Sequence, residues 1–419
     1  MTQTYINSDA VEIRTLKLYS MDRSKDYDLT IQVAQFSVYE DITYPVTRAE
    51  FAVVDGIDLI TSFPIIGEEI IEVEFATPGF DITCSYTFYV TSIEPQVINQ
   101  SGKNKTYVIK AKSVEFITNS NRYIIEKMNG NTGELIQQIC VKYLNTKKTV
   151  SVGDVTKGDQ DVLVSRMRPM QAIDFLRKRA VSKDYLSSSY VFFENKRGFN
   201  FASIEFLLNQ QQENVNDKIF FFDTAQKTDV RNMNTRSMIT LINTSQVDNT
   251  KKLALGSLNS IVRRFDILTG GVEVTNYKNT EKGGDFKTGS KNPAGLNTVK
   301  FEQKMGETPA VSMLLPHSSE LPENYINMSL GPKHSFITKM GQNIYQAYTF
   351  GDTALTAGDV ITVNVPTPTG DTGPREDNRL YAGNYLISKL RHIIVNNAGA
   401  KKTYNVSMEL IKGFTEDYA

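Results

Sequence analysis

Apolar and polar residues alternate in short runs between residues 11 and 118. Leu29-Thr30-Ile31-Gln32-Val33 and Phe51-Ala52-Val53 alternate, and Ile71, Val73 and Phe75 interleave with Glu72 and Glu74. Tyr107-Val108-Ile109-Lys110-Ala111 closes the segment. A period of two puts one row of side chains on a core and the other on a solvated or partner face, so these runs predict strands. Asp55-Gly56, Pro78-Gly79 and Ser101-Gly102 separate them at hairpin spacing.

The period changes after residue 119. Leu135, Ile136, Ile139, Cys140, Tyr143 and Leu144 recur at helical spacing and predict a helix over 132–146, with Asn131 and Glu134 placed as a capping box. Pro169 predicts the start of a second helix that buries Ile173, Leu176 and Ala180. Tyr190-Val191-Phe192-Phe193 and Phe199-Asn200-Phe201, joined through Gly198, predict a hairpin. Residues 278–297 are rich in Gly, Lys, Asn and Thr and predict a surface loop or linker. Phe336, Met340, Ile344 and Ala347 predict a last helix over about 335–349, followed by strands.

Two stretches repeat each other. Phe88–Ile109 and Tyr385–Val406 align without a gap, 297 positions apart. Asn99, Gly102, Lys105, Thr106 and Tyr107 match Asn396, Gly399, Lys402, Thr403 and Tyr404. Val90, Ile93, Val97 and Ile109 correspond to Ile387, Leu390, Ile394 and Val406. Upstream, Gly67 leads Ile71–Phe75 as Gly358 leads Ile361–Val365, with a longer loop at Thr367–Asp371 in the second copy. The pattern predicts two related strand modules. Two modules per chain, set about a threefold axis, give six similar positions.

At 419 residues the chain is long enough for two to four domains. Hydrophobic residues make up 40% and charged residues 22%, as in a folded globular chain. Its 20 Tyr and 22 Phe favour strands. The 46 Lys+Arg and 47 Asp+Glu leave no cationic surplus for sequence-independent nucleic-acid binding. Two cysteines, Cys84 and Cys140, fit a reducing compartment. The first residues lack a signal-peptide pattern, and no apolar run reaches membrane-spanning length. Synthesis in a cytoplasm without membrane insertion is expected.

Catalytic chemistry finds little support. His317, His334 and His392 stand apart from one another and from the cysteines, so no metal-ligand spacing arises. Cys140 lies on the apolar face of its helix, as a core residue would. Gly284–Lys291 places Ser before Lys, the reverse of a phosphate loop. Glu68, Glu69, Glu72 and Glu74 cluster, but alternation sets Glu72 and Glu74 on the polar face of one strand. No catalytic residue, metal or cofactor is expected.

The order of these segments resembles the baseplate hub proteins of contractile-tailed phages, the T-even hub family, and is similar to the N-terminal hub region of type VI secretion spike proteins. Met170–Leu176 with Tyr190–Glu194 and Gly198–Phe201 looks like the family's helix and hairpin after the first barrel. Gly256–Asp266 with Tyr277 is similar to its return segment, and Gly383–Ser388 and Tyr404–Leu410 look like its closing strands. The resemblance implies a β-dominated α+β chain with two tube-type β-barrels: a first barrel at 1–118, a mixed α/β insertion at 119–215, and a β-rich return segment of the second barrel at 216–277. A linker and irregular segment comes next at 278–334, then a helix and the second barrel at 335–419. It implies a homotrimeric ring in the virion baseplate, joined to tail tube, central spike, neighbouring baseplate and tape-measure proteins, with DNA passing through. With the chain ending at Ala419, the spike is expected to be a separate polypeptide. Glu72 and Glu74, with Thr362 and Asn364 at the equivalent positions, are candidates for the bore lining, where negative charge keeps DNA from sticking. The alternatives are another tube-end protein, a tube initiator or distal tail ring, and a tail-associated hydrolase with paired acids. A carbohydrate-binding module is disfavoured by the absence of Trp.

Overall fold

The computed structural model describes residues 9–63, 65–79, 81–94, 97–98, 105–185, 188–210, 218–222, 236–244, 259–278, 311–317, 326–341, 343–366, 381–396 and 402–412. The first part holds strands β1 (Glu12–Tyr19), β2 (Asp26–Asp28), β3 (Val33–Asp41) and β4 (Arg48–Asp55), and the single turn α1 (Leu59–Ser62). Strands β5 (Ile70–Ala76), β6 (Thr83–Ile93), β7 (Val97–Ile98) and β8 (Lys105–Ser113) complete it. The insertion holds α2 (Val114–Asn121), β9 (Ile124–Asn131), α3 (Thr132–Lys142), β10 (Val150–Val152), β11 (Asp159–Met167), α4 (Pro169–Arg177), β12 (Tyr190–Asn195), β13 (Gly198–Ser203) and α5 (Ile204–Asn209). The last part holds β14 (Ile219–Phe221), β15 (Arg236–Asn243), β16 (Asn259–Asp266), β17 (Val272–Lys278), β18 (Val311–His317) and α6 (Ile326–Met340). Strands β19 (Ile344–Phe350), β20 (Val360–Asn364), β21 (Gly383–Val395) and β22 (Thr403–Lys412) close the chain.

The fold is β-dominated α+β, with two related barrel modules and a mixed insertion. In the second module β20, β14, β15, β19, β22 and β21 pair in that order, and β21 pairs with β20 again, which closes the barrel. The first module runs β1, β5, β6, β8, β4, β3. Its gap between β1 and β3 is bridged by a backbone bond from Leu29 N to Leu16 O. The tip of the β21–β22 hairpin adds bonds from Asn396 N to Ala34 O and from Tyr404 N to Asp9 O. Both barrels share one apolar core, in which Phe36, Phe51, Phe75 and Phe88 meet Tyr385, Ile394 and Tyr404. The insertion has its own core, where Leu135, Ile136, Ile139 and Cys140 of α3 pack on Ile173 and Leu176 of α4 and on Tyr190 and Phe201.

Three expectations shift. The last helix spans Ile326–Met340, ahead of 335–349, and falls partly in the segment read as linker, as does β18. Gly341 follows its last turn, so Phe336 and Met340 are helical while Ile344 and Ala347 belong to β19. In β19 the buried residues Tyr345, Ala347 and Thr349 alternate, a strand period. Leu29–Gln32 is a turn, although Leu29 is buried. Helix α3, expected to reach residue 146, ends at Lys142, and Asn131 Oδ1 caps it by accepting from Gly133 N at 3.1 Å. Pro169 starts the second helix and β12–β13 form the hairpin. The residues 279–310, the Thr367–Asp371 loop and the turn glycines Gly102 and Gly399 lie outside the described residues.

Candidate functional site

Among the described residues no group of three or more His, Cys, Asp or Glu side chains could hold a metal ion. No helix among them is long and apolar enough to cross a membrane. The arrangement with functional content is the joint between the two modules.

The modules agree in register at four irregularities. Val33 and Gln35 of β3 flank a bulge against β4, and Met238 and Thr240 of β15 flank one against β19. Val90 and Ser92 of β6 flank a bulge against β8, and Ile387 and Lys389 of β21 flank one against β22. Val90 N donates to Glu69 O, as Ile387 N donates to Asp359 O. Ile71 stands opposite Phe88, as Ile361 stands opposite Tyr385. A bulge adds one residue to one strand and re-aims the residues beyond it, so four bulges in two matching pairs are a strong sign of duplication. The outgoing strands correspond 297 positions apart, as Val90 and Ile387 do; the return strands, Ala111 and Leu410, correspond at 299. The gapless alignment therefore holds for β6 and β21 and slips by two residues on β8 and β22. A slip of two keeps every side chain on its face, which is why the apolar pattern concealed it. The first strands differ: β1 is antiparallel to β5 with a bulge between Ile13 and Thr15, whereas β14 is parallel to β20 without one, and β14 pairs with β15 whereas β1 forms no ladder with β3 among the described residues.

Strand β21 joins the modules. Its first residues pair with β20, and from Lys389 to Val395 the same edge pairs with β3. This carries His392 and Tyr404 into the first barrel, where Phe75 stands 5.5 Å from each ring.

Glu40 fixes the same joint to the insertion. It occupies the buried row of β3 after Phe36 and Val38. Its Oε1 accepts from Tyr86 Oη at 3.0 Å and from Lys196 N at 2.7 Å. Its Oε2 accepts from Thr356 Oγ1 at 2.6 Å and from Ala357 N at 2.8 Å. One carboxylate thus ties the first barrel, the tip of the β12–β13 hairpin and the loop before β20. Lys196 Nζ donates to the carbonyls of Thr353 and Leu355 beside it. A second cluster, a half-buried lysine between two buried glutamates, holds the insertion to the first barrel. Lys148 Nζ lies 2.8 Å from Glu115 Oε2 and 2.5 Å from Glu194 Oε1, and Glu194 Oε2 accepts from Thr47 N at 2.9 Å. Burial works against the Lys148 charge, but Glu194 and Glu115 hold its pKa above the ordinary lysine value.

The predicted bore residues fall at matching register positions. Glu72 stands opposite Thr87, and Thr362 stands opposite Asn384. Glu74 and Asn364 come two residues later. Arg23 Nη2 lies 2.8 Å from Glu72 Oε1, and Arg14 Nη1 lies 3.9 Å from Glu74 Oε1. Thr362 Oγ1 donates to Asn384 Oδ1 at 2.7 Å. The acidic row is therefore interleaved with arginines that alternation alone did not bring to it. Cys84 and Cys140 are both buried, and burial pushes each thiol up to about 12. His392 is fully buried in β21. His317 lies in β18 and His334 in α6, and Gly284–Lys291 lies outside the described residues. Sequence reasoning missed Glu40 and Lys196. The signal for Glu40 was a carboxylate on the apolar parity of an alternating strand.

No family model matches the chain, and no curated protein matches it. Two solved structures share its fold over nearly its whole length. The tail protein from Neisseria meningitidis aligns with a TM-score of 0.55 at 10% identity, covering 96% of this chain and 96% of its own. The 43 kDa tail protein of prophage MuSo2 from Shewanella oneidensis aligns with a TM-score of 0.55 at 10% identity, covering 96% and 98%. The fold of this chain is that of these tail proteins, as the resemblance read from its sequence implied.

Proposed function

We propose that the chain is a structural hub subunit of a phage tail baseplate. Three copies close a ring of six barrel modules between the tail tube and the central spike, and DNA passes through the ring during ejection. The observation that carries this reading is the duplication with matching bulges, since two equivalent modules per chain let a threefold assembly meet a sixfold tube. The fold shared with tail proteins supports it. Its partners are further copies of itself, tube and spike proteins, and the neighbouring baseplate and tape-measure proteins. The work is positional and needs no catalytic residue or cofactor; its place is the virion tail, after synthesis in the host cytoplasm. We assign residues 1–118, 216–277 and 335–419 to the ring, with the insertion at 119–215 as a bracket between modules and 278–334 as a linker. Glu72, Glu74, Thr362 and Asn364 line the bore in this reading. There the Arg23 and Arg14 partners make the surface charge-balanced, so it neither grips nor strongly repels a passing polyanion.

Electron microscopy of the purified full chain tests the proposal. Class averages with threefold symmetry, six lobes and an open centre are expected. Compact particles without a central opening would contradict it.

A further inference from the structure

The two modules share one strand order, but their outer edges meet different fates. In the second module β21 outruns β20 and gives its edge to β3, from Lys389 opposite Asp41 to Val395 opposite Gln35. Its counterpart β6 outruns β5 after the same bulge, and β7 continues the line along β8. Among the described residues no strand pairs with the outer side of Thr91–Ile93 or of Val97–Ile98. The receiving strand has a counterpart too. β15 matches β3 in its bulge and in its pairing with the next strand, and no described strand pairs with the outer side of Thr240–Ile242. Ile242 is 55% exposed there.

Among the described residues, each chain therefore contains one joined pair of edges and a second pair of the same kinds left apart. The open pair cannot meet within a chain, because the joined pair already sets the two modules side by side. Resting on the ring reading, we propose that β15 of one copy pairs antiparallel with the β6–β7 edge of the next copy, repeating between chains the β3–β21 joint within each chain. Main-chain hydrogen bonds would supply the affinity and the bulges the register. The two edges differ, so the contact is head-to-tail and closes when the third copy meets the first. It also covers two strand edges that would otherwise recruit strands without control.

The register names a contact. Ile393 stands opposite Ser37 inside the chain. Ile393 pairs with Asn405 as Val97 pairs with Thr106, and Ser37 pairs with Glu50 as Ile242 pairs with Gln346. Val97 of one copy should therefore face Ile242 of the next.

The test is the full chain carrying Val97→Cys and Ile242→Cys together, mildly oxidised and run on a non-reducing denaturing gel, with its native mass measured by light scattering. The buried thiols of Cys84 and Cys140 stay out of the reaction. A covalent three-chain species of about 141 kDa, from chains of 47.1 kDa, is expected, with each single-cysteine variant remaining one chain. A native trimer that does not cross-link would overturn this interface and leave the ring reading standing. A native monomer that does not cross-link would overturn both. Ile242→Lys gives a second check without cysteine chemistry: its native mass should fall toward one chain while its circular dichroism stays that of the parent. An unchanged trimer would count against the pairing.

Discussion

The Tyr404 hydroxyl lies 2.7 Å from His392 Nδ1, and both residues belong to the hairpin of the second barrel while sitting in the core of the first. The two modules are therefore fused through shared side chains, and the pair should report on both. Tyr404→Phe removes the one side-chain hydrogen-bond partner that a fully buried imidazole has among the described residues and should cost ~1–3 kcal/mol in urea unfolding. Burial, aided by the nearby Lys196 charge, depresses the His392 pKa from 6.5 to about 3. The unfolded chain thus binds this proton more readily than the folded one. The stability that the neutral ring confers is complete above pH 6.5 and is lost as pH falls from there toward about 3. His392→Leu should flatten the acid limb of the stability curve by at most about 1.4 kcal/mol per pH unit. Parallel curves for parent and variant would show that the imidazole is protonated equally in both states.

Glu40 makes a different kind of joint, between backbone and side-chain donors of three segments. Glu40→Ala leaves Lys196 N, Thr356 Oγ1 and Ala357 N without their acceptor and should cost about 3 kcal/mol or more. Glu40→Gln keeps the volume but turns an amide donor toward those donors, and should cost less than the alanine. Limited proteolysis of both variants should show earlier cleavage near the β12–β13 tip. Unfolding midpoints equal to the parent's would remove Glu40 from the account.

Two glycines separate close packing from backbone strain. A Cβ at Gly351 would lie 1.9 Å from Tyr404 Cδ1, so Gly351→Ala must displace a ring that both barrels share. The expected loss is at least ~3 kcal/mol. A Cβ at Gly67 would meet nothing within 4 Å, but its φ of 95° suits few side chains, so Gly67→Ala should cost only ~1–2 kcal/mol. Thermal melts of the two proteins side by side check the order; the reverse order would mean that the ring of Tyr404 has room to move.

The bore assignment is tested by charge. Reversing Glu72 and Glu74 to Lys in the same chain places them beside Arg23 and Arg14 and makes the row strongly cationic. Particles should assemble but deliver DNA more slowly, with the defect relieved at high salt. Normal particles with unchanged delivery would place this face elsewhere.

Much of the architecture is legible in the sequence because its periods are clean. Leu135, Ile139, Ile173 and Leu176 could only be one side of a helix, and Ile71, Val73 and Phe75 one face of a strand. The last helix was misplaced because Phe336, Met340, Ile344 and Ala347 fit helical spacing across a real boundary at Gly341. In Ile344–Phe350 a strand period runs through the same residues, and propensity alone does not separate the two. The two-residue slip of the return strands preserved every face and so left no trace in the apolar pattern. The joint at β21 was invisible for another reason. Which neighbour receives a strand edge is a long-range matter, and Glu40, His392 and Tyr404 acquire their partners only once β3 and β21 have met.

The most direct test is the native mass of the purified full chain by light scattering at high protein concentration. The account predicts about 141 kDa, three chains of 47.1 kDa closed into a ring. A mass of one chain at every concentration, or of six, would contradict it.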